Sequence, residues 1–184
     1  MSSLSALIGT DLPSEATSAQ QKAYVTYAFP VHAPEEIDLE GRTVTLLESR
    51  SVISSHGTTG MRTWEAALHL GAFLASTRGQ ATVQGKRVFE LGAGTGMLSI
   101  LCAKHLNVSG MVATDGDEAV VDAIKTNSFL NGLDADDPSQ NIFRTAALKW
   151  GRPINAANFL EDYGMELPDV VVAADVVSFI YRHT

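Results

Sequence analysis

Three glycines at alternate positions, directly after an apolar stretch, constrain this chain more than any other feature. They lie in Val88-Phe89-Glu90-Leu91-Gly92-Ala93-Gly94-Thr95-Gly96, and a helix-like segment, Met97 to Leu106, follows. Glycine is required where backbone turns with positive φ or approaches a ligand closely. A strand, a glycine turn and a helix N-terminus in that order form a nucleotide-sized pocket. The spacing Gly92-x-Gly94-x-Gly96 is not the G-x-G-x-x-G of dinucleotide folds, whose third glycine serves close packing beside a pyrophosphate. It therefore argues against an NAD-binding oxidoreductase.

The organisation around this motif is alternating. Arg87 to Glu90, Met111 to Thr114, Ile142 to Ala147 and the apolar run Asp169 to Val177 read as strands. Met97 to Leu106 and Glu118 to Leu130 read as helices, the second stopped by Asn131-Gly132. Strands alternating with helices make a parallel sheet covered on both faces, so the fold class is an α/β Rossmann-like three-layer sandwich. Upstream, Thr43 to Ser54 is β-rich, with Val44, Leu46, Val52 and Ile53 inward around Glu48-Ser49-Arg50. It reads as one or two strands outside the main sheet. Gly57-Thr58-Thr59-Gly60 is a loop. A helix from about Thr63 to Ser76 follows, with Thr63 as N-cap and Trp64, Ala67, Leu68, Gly71, Leu74 and Ala75 on its buried face. Residues 1 to about 22 are small and polar and are expected to be loosely attached, and Pro30 and Pro34 punctuate the next loop.

Composition narrows the partners. The 184 residues suit one domain, and 45% apolar content supports a core. A net charge of −8 gives no phosphate-backbone footprint, so nucleic acid is not an expected partner. Asp134, Asp136 and Asp137 read as a solvated loop. Cys102 is the single cysteine, a buried thiol on a helix, which fits an intracellular, cytoplasmic protein. No run reaches the ~18 apolar residues of a membrane helix, and the N-terminus does not read as a signal peptide. The histidines at 32, 56, 69, 105 and 183 show no metal-ligand spacing.

Several residues carry candidate chemistry. Asp115 ends the second strand of the alternating unit, where a carboxylate accepts hydrogen bonds from ribose hydroxyls. The alternative is a helix N-cap, a role that Asp117 fits better. Glu90 either meets the ligand or only caps the glycine loop. Gly92 and Gly94 permit backbone approach. Trp64 is either a core residue or one wall of the pocket. Trp150, at the end of the third strand, offers a flat surface to a base. Asp175 sits at the C-terminal end of an apolar parallel strand, where ligands of such sheets bind. It is the leading substrate-facing acid, with a helix N-cap or a loop carboxylate as the alternatives.

The E-x-G-x-G-x-G form resembles motif I of the class I, seven-strand methyltransferases. Gly57 to Ala67 (G-T-T-G-M-R-T-W-E-A-A), Glu90 to Gly96, Asp115, Leu148-Lys149-Trp150-Gly151 and Ala173-Ala174-Asp175 occur together and in order. This set resembles the seven-strand protein-lysine methyltransferases. Leu46-Leu47-Glu48-Ser49-Arg50 before the G-T-T-G loop is most similar to the fungal enzymes that methylate translation elongation factor 2. The resemblance covers about residues 43 to 177. It implies S-adenosylmethionine (SAM) as cofactor, a protein substrate, no metal and a monomer at full length. It implies SAM contacts at Trp64, Glu90, Gly92, Ala93, Gly94, Asp115, Trp150 and Ala174, with Asp175 as the acid that places the target lysine. Residues 1–40 are then a poorly ordered N-terminal segment, 41–80 a strand-and-helix extension and 81–184 the SAM-binding Rossmann-like domain.

Two departures stand out. The family's D-x-x-Y motif reads Asp175-Val176-Val177-Ser178, without the tyrosine, and Tyr181 comes three residues late. The family sheet has strand order 3-2-1-4-5-7-6, whereas only four core strands are legible before Ser178 to Thr184. The expectation is a C-terminally truncated chain whose fourth strand, Val170 to Val172, lies at an open, association-prone edge. The alternatives are a catalytically silent SAM-binding or partner-binding remnant and a small-molecule methyltransferase.

Overall fold

The computed structural model describes residues 22–30, 41–49, 59–134 and 142–176. In chain order its elements are β1 (Lys22–Phe29), β2 (Arg42–Ser49), α1 (Glu65–Ala75), α2 (Thr77–Val83), β3 (Arg87–Leu91), α3 (Met97–His105), β4 (Gly110–Asp115), α4 (Glu118–Leu130), β5 (Phe143–Ala147), a 3-10 turn (Ala156–Asn158), α5 (Phe159–Tyr163) and β6 (Val170–Ala173). Sequence expectations for Arg50, Val52, Ile53, Gly57, Thr58, Asp136, Asp137, Val177, Ser178, Tyr181 and the first 21 residues lie outside the described residues.

The four strands β3 to β6 form one parallel sheet with order β5-β4-β3-β6. Strand residues alternate between faces. Val88 therefore enters a core with Met111, Phe143 and the α3 residues Leu98 and Leu101. Phe89 points the other way, into a smaller cluster with Val112, Phe159 and Met165. The rings of Phe89 and Phe159 are 5.2 Å apart, and that of Tyr163 stands edge-on to Phe89 at 5.1 Å. Such offset aromatic contacts seal the second face. The 3-10 turn and α5 that supply them are absent from the sequence reading, because a five-residue helix carries too few turns to show a period.

Helix α3 is buried on all sides from Met97 to Ala103. A helix apolar all round needs cover on every face, and α3 packs against β4, α1 and β2. The last of these belongs to an antiparallel pair, β1 with β2, running from Lys22↔Ser49 to Phe29↔Arg42. This hairpin lies outside the main sheet, as expected from the Thr43 to Ser54 stretch, with Val44 and Leu46 fully buried.

For residues 22–29, strand β1 corrects the expectation of a poorly ordered segment. Ala23, Val25, Tyr27 and Phe29 face inward and alternate with exposed Lys22, Tyr24, Thr26 and Ala28. Its backbone groups are satisfied by β2, and that partnership is invisible in the local composition. Helix α2 was also not foreseen. Ser76 separates it from α1 by donating to the Phe73 carbonyl at 2.6 Å and accepting from the Gly79 N–H at 3.1 Å. Among the described residues no helix is long and apolar enough to cross a membrane.

Candidate active site

The glycine loop joins β3 to α3, and all three of its glycines are left-handed, with φ of +62° at Gly92, +55° at Gly94 and +80° at Gly96. A side chain at Gly94 would be strained, and its Cβ would lie 3.3 Å from the Gly60 carbonyl oxygen. The loop is tied to β4 at two points. Ala93 N–H donates to the Thr114 carbonyl at 2.8 Å. Gly94 N–H donates to Asp115 Oδ2 at 3.1 Å. The other Asp115 oxygen accepts the Asp117 N–H at 3.1 Å. The carboxylate is thus held in one orientation at the C-terminal end of β4, with lone pairs left over for hydroxyl donors. Asp117 caps α4 through the Ala119 N–H at 2.8 Å, so Asp115 does not serve as that cap.

These groups open onto a cleft of about 190 Å³ above the strand ends. Trp64, Gly92, Gly94, Asp115, Trp150, Ala174 and Asp175 all line it. Glu90 and Ala93 sit behind, on a void of about 30 Å³ shared with Trp64, Gly92, Gly94 and Ala174. Sequence reasoning missed Thr59, Gly60, Gly116 and Leu148 as lining residues. Gly60 and Leu148 belong to the conspicuous G-T-T-G and L-K-W-G segments, and Gly116 follows Asp115, so adjacency was the available signal.

Four local expectations are corrected. Thr63 is not the N-cap of α1. Trp64 takes that position with no side-chain cap, because the Thr63 hydroxyl is engaged 2.7 Å from that of Thr95. Trp64 is half-buried rather than a full core residue, and its Nε1–H donates to the Thr59 carbonyl at 3.1 Å. Its indole thereby closes the Thr59 to Trp64 turn over the cleft. Trp150 lies beyond the end of β5, which stops at Ala147, and it is 65% exposed. Asp175 lies beyond β6, which stops at Ala173, in a bend with φ of +56°. Aspartate tolerates that region better than a branched residue would. The bend leaves the side chain exposed at the cleft rim.

Glu90 follows from strand alternation. It shares a face with Val88, points into the main core and is 2% exposed. The Ser99 hydroxyl on α3 donates to its carboxyl oxygen. Desolvation by burial is the largest influence and pushes its pKa up to about 8, against the lowering effect of Ser99. At neutral pH the group therefore holds a proton. The nearby Cys102 thiol is pushed up as well, by burial first and by Glu90 second, so it is inert as a nucleophile.

Residues 50–182 match the profile of a family described as lysine methyltransferase. The chain is 47% identical over 176 residues to protein-lysine N-methyltransferase EFM3 of Chaetomium thermophilum, covering 96% of this chain and 50% of that protein. It is 37% identical to protein-lysine N-methyltransferase EFM3 of Saccharomyces cerevisiae, over 72% of this chain and 40% of that protein. With protein-lysine N-methyltransferase EEF2KMT of Homo sapiens the identity is 32%, over 74% of this chain and 41% of that protein. The chain thus spans about half the length, or less, of the curated relatives it matches. With the family profile matched across most of its residues and the glycine loop and Asp115 set at the mouth of a parallel sheet, the chain belongs to the lysine methyltransferase family.

Proposed function

We propose that the cleft binds S-adenosylmethionine and that the chain acts as a protein-lysine N-methyltransferase on translation elongation factor 2 in the cytoplasm. One observation carries the reading. The Asp115 carboxylate is locked beside a loop of left-handed glycines, in a cleft lined by Gly60, Gly92, Gly94 and Gly116. Glycine walls admit a ligand against bare backbone, and a fixed carboxylate suits ribose hydroxyls. The elongation factor 2 target rests on the resemblance of Leu46 to Arg50 and of the G-T-T-G segment to the fungal enzymes.

In this reading Asp115 would hold the ribose, Trp150 would offer its face to the adenine, and Gly92, Ala93, Gly94 and Ala174 would supply backbone surface. Trp64 forms the opposite wall. Protonated Glu90 supports the loop from behind, beside the void at Ala93 and Gly94. The cofactor supplies an electrophilic methyl group on a positively charged sulfur. The protein's part is orientation and exclusion of water. Asp175, at the rim, receives the lysine ammonium and fixes its line of approach. Only the neutral amine can accept the methyl group, so the ammonium would first release its proton to solvent at the exposed rim, a step that partial desolvation assists by lowering the lysine pKa.

Calorimetric titration with S-adenosylhomocysteine, with Asp115→Ala as control, tests the cofactor reading, and transfer of labelled methyl to elongation factor 2 tests the substrate. Binding lost in Asp115→Ala, with methyl incorporated by the wild type, is the expected result. No binding by the wild type overturns the proposal. Binding without transfer supports a catalytically silent SAM-binding protein.

A further inference from the structure

Strand β2 carries a buried acid that the reading above leaves unused. Alternate residues of a strand share a face, so Glu48 follows Val44 and Leu46 into the core. It is 8% exposed. A carboxylate in such a place is costly unless donors meet it. Two do. The Tyr27 hydroxyl on β1 donates to Oε1 at 3.0 Å, and the backbone N–H of Thr63 donates to Oε2 at 3.0 Å. Burial first, and Glu48 next, push the Tyr27 pKa up to about 12, so the phenol remains a donor.

Thr63 connects this acid to the cleft. It immediately precedes Trp64, and its hydroxyl meets that of Thr95, the residue between Gly94 and Gly96. One strand position further on, Ser49 N–H donates to the Met61 carbonyl at 2.7 Å. The Thr59 to Trp64 wall is therefore suspended from the end of β2 at two points. A second route reaches the same loop from the other side. Leu47 N–H donates to Asn127 Oδ1 at 2.8 Å, and Asn127 Nδ2–H donates to the Thr95 carbonyl at 2.9 Å. The hairpin outside the main sheet thus grips the glycine loop through Thr95, by hydroxyl and by carbonyl.

We propose that Glu48 is a positioning residue of the cleft: by anchoring the Thr63 N–H it sets both the Trp64 wall and, through the Thr63–Thr95 contact, the glycine loop. The ligand readout of this proposal rests on the cleft being the SAM site, and the loop readout does not. Three variants separate positioning from general stability. Glu48→Ala removes the anchor. Glu48→Gln restores it, with its carbonyl accepting from Thr63 and its amide N–H donating to the Tyr27 oxygen. Val44→Ala weakens the same strand face without touching the anchor.

The measurements are amide hydrogen exchange at Thr63 and Gly94 and calorimetric affinity for S-adenosylhomocysteine. Glu48→Ala is expected to speed exchange at both amides relative to the rest of the sheet, and to weaken affinity about tenfold, as for one lost charge-assisted hydrogen bond. Glu48→Gln should return both readouts to within about threefold of wild type. Val44→Ala should lower the unfolding midpoint and leave both local readouts in place. Equal effects of Val44→Ala and Glu48→Ala, or no rescue by Glu48→Gln, overturn the proposal. If Glu48→Ala does not fold, Thr63→Val removes the hydroxyl that meets Thr95 and Tyr27 while keeping the Thr63 N–H on Glu48, and unchanged exchange at Gly94 in that variant overturns the coupling. Loosened exchange in a protein that never binds S-adenosylhomocysteine would leave Glu48 in its role and sink the cofactor reading instead.

Discussion

Glu90→Gln isolates the cost of keeping an acid in the core of this fold. Glutamine retains a carbonyl for the Ser99 hydroxyl and cannot ionise. The wild-type carboxyl titrates near 4.5 in an unfolded chain and near 8 in the fold, because burial disfavours its charged form. The folded state therefore binds this proton more tightly than the unfolded state. Its contribution to stability is fully present below pH 4.5 and is lost as pH rises through about 8. Between those limits the slope is about 1.4 kcal/mol per pH unit, so the whole window is worth on the order of 4–5 kcal/mol. Urea unfolding of both proteins at intervals from about pH 5 to 8.5 is the assay. Contributions from titrating groups that do not interact with Glu90 are shared and drop out of the difference. Wild type should lose stability relative to Glu90→Gln steadily across this range. A flat difference curve would refute the reasoning, since it would mean that the carboxyl is ionised in the fold and finds donors that the Ser99 contact does not account for.

Other substitutions test single contacts. Gly96→Ala places a side chain at φ +80° with its Cβ 2.8 Å from Ile124 Cγ2; left-handed strain and overpacking together predict a loss of about 2–5 kcal/mol, and a urea-derived loss below about 1 kcal/mol would contradict it. Trp150→Ala should leave stability within about 0.5 kcal/mol, because the residue is mostly exposed. Its affinity for S-adenosylhomocysteine should fall about three- to tenfold, and an unchanged affinity would remove Trp150 from the adenine wall. Asp117→Ala should cost about 1 kcal/mol through loss of the α4 cap while leaving ligand affinity intact; calorimetry showing the reverse pattern would exchange the roles given to Asp115 and Asp117.

The half of the fold from Arg87 onward was legible because its signals are local. Strands β3 and β4 are buried on both faces, so apolar residues stand next to one another in them, as in Val88-Phe89 and Met111-Val112-Ala113. Helix α4 announces both its ends, with Asp117 at the start and Asn131-Gly132 at the stop. The glycine spacing located the loop, and the carboxylate that closes β4 located Asp115. Trp64, Trp150 and Asp175 line the cleft, in backbone settings that differ from the expected ones. The motif resemblance supplied their order along the chain.

What the sequence determined by itself, then, was the parallel α/β core, the glycine loop and the lysine methyltransferase family, each encoded in neighbouring residues. Tertiary structure alone decided the rest. Only the pairing with β2 makes β1 a strand. Only the register of β2 turns Glu48 inward, to meet a backbone N–H fifteen positions away in the chain. Only the assembled core around β3, with Ser99 of α3 against its carboxyl, buries Glu90 and leaves it protonated. Burial and partnership depend on elements far apart in sequence, and no local pattern records which of them will meet.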